Sequence, residues 1–286
     1  PTAANTAILQ TSLAGASSNN SFQNNTIQNV NMGIAMVGGA VASPYSLADL
    51  NNVIGGSSTT GNNIINFGGG TSPSFACAAA LIRDQWSFTI SHNVIDNNVG
   101  GTGGFNHTTS QRGIWLFAAS AGASANINNN TLTIRGAGTG INWIIDVEMA
   151  QTGANGNTIN INNNQFLNCT QVVTTAAAFV PIWLNTTASN INVTGNTIDN
   201  FSTPTTGLTY LVLNQLANTS NLNISNNNFT NIAFTNSGTK GIIYLTSSTG
   251  NLTVNNNVIN NVVGTNTTTT TSIFCIYHLG TTGTFN

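Results

Sequence analysis

Seven segments of this chain obey one rule. An aliphatic residue or phenylalanine is followed three positions later by asparagine, five positions later by another apolar residue, and usually seven positions later by a second asparagine. The first position is filled by Phe22, Ile90, Ile127, Ile161, Val193, Ile224 and Val254. The asparagine column is Asn25, Asn93, Asn130, Asn164, Asn196, Asn227 and Asn257. The second apolar column is Ile27, Ile95, Leu132, Phe166, Ile198, Phe229 and Ile259. The second asparagine column holds Asn29, Asn97, Asn168, Asn200, Asn231 and Asn261, and Ile134 interrupts it. From Ile90 onward the units are 37, 34, 32, 31 and 30 residues apart, and a degenerate unit is expected in the gap, around Asn51 to Phe75. Self-similarity at such a period is the signature of a solenoid.

Each unit has a second half. RGIWLF at Arg112–Phe117, GINWIIDV at Gly140–Val147, VPIWLN at Val180–Asn185, GLTYLVL at Gly207–Leu213, KGIIYL at Lys240–Leu245 and SIFCIY at Ser272–Tyr277 are short β-branched and aromatic runs. Their length and flanking Gly or Thr read as strands. No helical stripe of useful length occurs. Asparagine disfavours strand and helix interiors but tolerates the left-handed backbone, so it suits tight turns. When one turn recurs in every coil, its amides stack and can bond to those above and below. The reading is an all-β solenoid of about eight coils, residues 20–286, behind an N-terminal segment, residues 1–19, that serves as a cap or an exchanged strand.

The repeated pattern resembles the right-handed parallel β-helix superfamily, whose pectate-lyase-like members carry inward asparagine stacks at a turn. The resemblance implies the fold and the buried column Asn25, Asn93, Asn130, Asn164, Asn196, Asn227 and Asn257. In style the chain is similar to large repetitive bacterial surface and adhesin proteins. Enzymes of this fold are mostly polysaccharide lyases and hydrolases with clustered carboxylates, a basic residue and often calcium on one outer face.

Against that expectation, charge is scarce. Charged residues are 3% of the chain, with four Lys plus Arg and six Asp plus Glu, while 50 of 286 residues are asparagine. Four basic residues cannot build a phosphate-neutralising surface, which argues against nucleic acid as a partner. No uninterrupted apolar run reaches the length of a membrane span. Asp96 and Asp199 share a column but lie three coils, about 14 Å, apart, too far for a glycosidase pair. Asp146 and Glu148, two residues apart on one strand face, are the candidate catalytic or calcium-binding pair, with the alternative that they serve only solubility. Arg112 lies in the equivalent strand one coil earlier. His92, His107 and His278 have no metal-ligand spacing, and the widely separated Cys77, Cys169 and Cys275 read as small buried thiols. GTGGFNH at Gly101–His107 lacks the lysine and following helix of a phosphate loop. No metal or cofactor is expected. An ice-binding face would want one outward threonine column, but that column reads Thr89, Asn126, Asn160, Asn192, Asn223 and Thr253.

The second-half strands are apolar at successive positions, where a strand covered on one face only should alternate. This predicts a covered outer flank near Trp115, Ile141, Trp183, Leu208 and Ile243, with Pro1–Ala14, a second protein or a sugar as the cover. The last unit shows no polar cap, which solenoids need for solubility. These features together predict an extracellular or cell-surface structural protein: a self-assembling homo-oligomer, filament or adhesin segment without catalytic activity, facing a polysaccharide or a host or cell surface. The alternative is a carbohydrate-binding or carbohydrate-cleaving β-helix.

Overall fold

The computed structural model describes residues 6–11, 17–40, 47–68, 76–99, 107, 110–117, 123–149, 157–215, 221–246, 250–265, 272–280 and 284–285, with the backbone alone for 6–11 and 284–285. These residues form strands and turns without a helix. Three sheets run the length of the molecule. The first stacks Ser21–Phe22, Val53–Gly55, Phe88–Ser91, Ala125–Asn128, Thr158–Asn162, Asn190–Thr194, Asn221–Ser225, Asn251–Asn255 and Thr284–Phe285. The second begins at Thr26–Gln28 and ends at Val258–Gly264. The third begins at Thr6–Thr11, continues through Met32–Val37 and Cys77–Arg83, and ends at Ile273–Leu279. The chain visits the three in turn, coil after coil, and the strands pair in parallel. The protein is a parallel β-helix. The order first sheet, second sheet, third sheet is completed eight times between Ser21 and Leu279.

The repeat columns are the rungs of this structure. Ile90, Ile127, Ile161, Val193, Ile224 and Val254 stand in register, and so do Ile95, Leu132, Phe166, Ile198, Phe229 and Ile259. Apart from the half-buried Val254 and Ile259 of the last coil, they fill one continuous dry core. The outward column Thr89, Asn126, Asn160, Asn192, Asn223 and Thr253 is in register as well. Its amides also bond along the axis, Asn160 to Asn126 at 2.8 Å and Asn192 to Asn160 at 2.9 Å.

The asparagines of each triplet do different jobs. The one before the ladder position takes the left-handed backbone: Asn24, Asn129, Asn163, Asn226 and Asn256, with His92 and Gly195 as substitutes, at φ between 52 and 67°. Most of the second asparagine column, Asn29, Asn168, Asn200, Asn231 and Asn261, makes the next corner in the same way, φ 52 to 58°. Asn97 departs from it. It is fully buried and exchanges two hydrogen bonds with the Arg135 backbone, bridging the irregular stretch after Ile134.

The third sheet carries apolar side chains on both faces, as expected: Val180, Trp183, Tyr210 and Leu213 form a buried cluster on its outer side, apart from the core. Ile144 and Ile145, Leu211 and Val212, and Ile242 and Ile243 are successive pairs that both point into the core. The strand pairing skips a position there, at Ile144 and between Leu211 and Ile242. Ile243 therefore belongs to the interior, fully buried, and not to an outer flank; its neighbour Tyr244 faces outward. Thr6–Thr11 pairs edge to edge with Met32–Val37 of the same chain, so it extends the sheet and does not cover its face. The rest of residues 1–16 lies outside the described residues.

Candidate functional site

The ladder turns on one geometry repeated down the axis. Asn130 donates its backbone N–H and its Nδ2–H to Oδ1 of Asn164, both at 3.0 Å, and a second Nδ2–H to the Ile90 carbonyl at 2.9 Å. Asn164 does the same toward Asn196, Asn196 toward Asn227, and Asn227 toward Asn257. Each interior Oδ1 accepts two bonds and each Nδ2 donates two, so a fully polar column is carried through an apolar core without an unmet group. Asn93, Asn130, Asn164, Asn196 and Asn227 are buried, while Asn25 and Asn257 at the two ends are more open.

Sequence reasoning missed one rung. Asn62 lies between Asn25 and Asn93 and bonds to both. It falls in the stretch expected to hold a degenerate unit. Its signal is the following Ile64; the upstream half of the rule is obscured because the loop after Ile54 delays the asparagine by five positions. A second, shorter amide column was also missed. Asn20 donates to Oδ1 of Asn52, Asn52 to Oε1 of Gln85, and Gln85 to Oδ2 of Asp49.

Three of the ten charged residues meet on the outer side of the third sheet. Asp146 and Glu148 do share a face, and Arg112 stands beside them. Its Nε–H donates to Oδ2 of the fully buried Asp146, and its Nη2 lies 3.9 Å from Oε2 of Glu148. Trp115 donates its indole N–H to the same Glu148 oxygen at 2.8 Å. The guanidinium is sandwiched between indoles, its carbon 4.0 Å from the Trp115 ring centroid and 5.0 Å from that of Trp143. Burial pushes the Asp146 carboxyl up to about 8; the Arg112 cation pulls against that and the Glu148 charge adds to it. The strand pairing sets Trp115 opposite Asp146 and Arg112 opposite Trp143.

Aromatic residues continue outward along the same sheet. Trp143 stacks on Trp183 with centroids 3.6 Å apart, and Trp183 donates its N–H to Gln215 at 2.7 Å. Tyr210, Tyr244 and Tyr277 follow, packed ring against ring. Tyr210 lies over Gly241, where an added Cβ would sit 2.3 Å from the ring. Of the expected flank, Trp115 is half-buried and Trp183 buried within this aromatic cluster, Ile141 is half-buried just before its strand, and Leu208 is exposed before its own.

Elsewhere, Lys240 is fully buried and donates its ammonium protons to the carbonyls of Thr205 and Gly207. Burial lowers its pKa to about 8. Cys77 and Cys169 are buried thiols pushed up to about 12 by desolvation, whereas Cys275, on the last coil, is exposed, contrary to expectation. His92 occupies a turn and its ring Nδ1 lies 3.1 Å from the Gly56 carbonyl. Of the glycine-rich stretch, residues 101–106 lie outside the described residues. Among the described residues no group of three or more His, Cys, Asp or Glu side chains could hold a metal ion.

Fold and site together define the chain as a parallel β-solenoid with a buried amide ladder and one charged aromatic cluster on its flank. Comparison with protein-family models, with curated proteins and with solved structures returns no match.

Proposed function

We propose that this protein is an extracellular structural element, a stiff rod that self-assembles into a filament or surface array. The observation that carries the reading is the unbroken repeat: the amide ladder runs from Asn25 to Asn257 and the core columns stay in register from coil to coil, which makes the described chain one continuous rod. The low charge removes the repulsion that would oppose close packing of such rods.

The candidate catalytic pair fits a structural role. Asp146 is turned into the protein and held by Arg112, and Glu148 accepts from Trp115, so both carboxylates are engaged by neighbouring side chains. The test is direct. The purified chain should give rods or fibres by negative-stain microscopy, and its light scattering should rise with concentration. Cleavage of a polysaccharide by the chain, lost on replacing Asp146→Asn and Glu148→Gln, would overturn the reading. A second reading, a carbohydrate-binding solenoid, rests on the aromatic column Trp143, Trp183, Tyr210, Tyr244 and Tyr277. It predicts that soluble oligosaccharides quench or shift the tryptophan emission.

A further inference from the structure

None of the ten charged residues lies on a strand of the first sheet. From Phe88–Ser91 to Asn251–Asn255 its outward positions hold only asparagine, threonine and serine. Soluble surfaces ordinarily intersperse both signs of charge, so this face stands apart. Its side chains are also held in place. In the central column Asn160 donates to Asn126 and Asn192 to Asn160. Beside that column Thr194 donates to Oδ1 of Asn162 at 2.7 Å, and Asn221 to Oδ1 of Asn190 at 3.1 Å. The other amide hydrogen of Asn160 and of Asn192 meets no acceptor among the described residues, and both side chains are half-exposed.

We infer that a second copy of this chain packs on this face, sheet against sheet, so that rods associate side by side. The inference rests on the self-assembly reading above and adds the surface that carries it. A partner that meets every rung must repeat at the coil spacing, about 4.8 Å, or it drifts out of phase along the face. A second copy has that spacing by construction. Every outward side chain carries both a donor and an acceptor, so the face is complementary to itself. No charge has to be stripped of water, and the axial hydrogen bonds already order the amides, which lowers the cost of association. Paired sheets with stacked asparagine side chains form dry, interdigitated interfaces by the same means. The six strands from Phe88–Ser91 to Asn251–Asn255 present roughly 500 Å². Two such faces together reach about 1,000 Å², the lower bound of a specific contact. A two-fold axis through the middle of the face sets Asn160 and Asn192 against their counterparts in the partner. The other sheets are less suited, since the second carries Asp96, Arg135 and Asp199 and the third Arg83 and Glu148. A neutral polysaccharide is the competing occupant, but the outward positions of this face offer no aromatic ring for a sugar to stack on.

The test uses the 286-residue chain and charges placed at the centre of the face. Asn160→Lys with Asn192→Lys makes it positive, and Asn160→Asp with Asn192→Asp makes it negative. Gln165→Lys with Thr197→Lys puts the same charge on adjacent outward rungs of the second sheet as a control. Circular dichroism melts establish that each variant is folded, with Asn126 and Asn223 as replacement positions in the same column if one is not. By sedimentation velocity at low salt, the unaltered chain and the second-sheet control should associate to the same extent. The positive and the negative variant should each be monomeric alone, and their equimolar mixture should pair again, because opposite charges then face one another. Undiminished association of the positive variant would overturn this face as the contact while leaving self-assembly standing. An equal loss in the control would show that net charge and not this face sets association, and would overturn the inference as well. A monomeric unaltered chain at every concentration would overturn both this inference and the self-assembly reading. If that monomer co-sediments with an insoluble neutral polysaccharide and the positive variant does not, the face takes a glycan in place of a second copy.

Discussion

Asn196 donates two hydrogen bonds to one oxygen of Asn227, its backbone N–H at 2.9 Å and its Nδ2–H at 3.0 Å. Residues 31 positions apart are thus joined as tightly as neighbours in a turn. Replacing Asn227→Leu strands those two donors and the Val193 carbonyl that Asn227 also serves, and leaves Oδ1 of Asn257 with only the backbone N–H of position 227. Unmet buried groups cost about 1–3 kcal/mol each, so we expect a loss of at least about 3 kcal/mol in urea unfolding. An unchanged midpoint would mean the ladder is ornamental.

The neighbouring Asn226 has a different task, at φ 58°. Glycine fills the equivalent position at Gly195. Asn226→Gly should therefore change stability by no more than about 0.5 kcal/mol, while Asn226→Val should cost about 1–2 kcal/mol, the penalty for a β-branched residue in the left-handed region. Thermal melts of the two variants side by side separate this backbone role from the hydrogen-bonding role of Asn227.

Arg112→Met should destabilise by about 1–3 kcal/mol below about pH 8, because it leaves the buried, protonated Asp146 carboxyl without its hydrogen-bond partner. Arg112→Met combined with Asp146→Leu should recover most of that loss, since it leaves no unmet polar group behind. A double variant as weak as the single would show that the pair holds the Trp115–Trp143 sandwich in shape.

Two buried groups give stability a shape in pH. Asp146 holds its proton up to about 8 in the folded chain but releases it near 4 when unfolded, so the folded state binds more protons between those values. Stability on its account falls as pH rises from about 4 to 8. Lys240 titrates at about 8 when folded and at about 10.5 when unfolded, so the unfolded state binds more protons there and stability rises between those values. Above about 9 the buried Cys77 and Cys169, raised to about 12, make stability fall again, so Lys240 shows as a rise between about 8 and 9. Compared with the unaltered chain, Asp146→Asn should remove the fall between about 4 and 8 and Lys240→Met the rise above about 8; profiles unchanged by both substitutions would refute the assignment.

The repeat rule alone determined the solenoid, the ladder column and the register of the outward amides. In a stacked coil each residue meets its own counterpart one turn away, so a one-dimensional alignment already contains the three-dimensional contacts. Tertiary structure decided the rest. Asn62 entered the ladder despite a delayed position because a loop can leave the coil without shifting the rungs on either side. Ile243 turned inward beside Ile242, where the strand pairing skips a position, so the phase of the strand beyond that point is fixed by packing, not by its own pattern. Arg112, Asp146 and Trp143 met because their strands are adjacent in the third sheet, where the residues vary from coil to coil and no repeat announces the pairing.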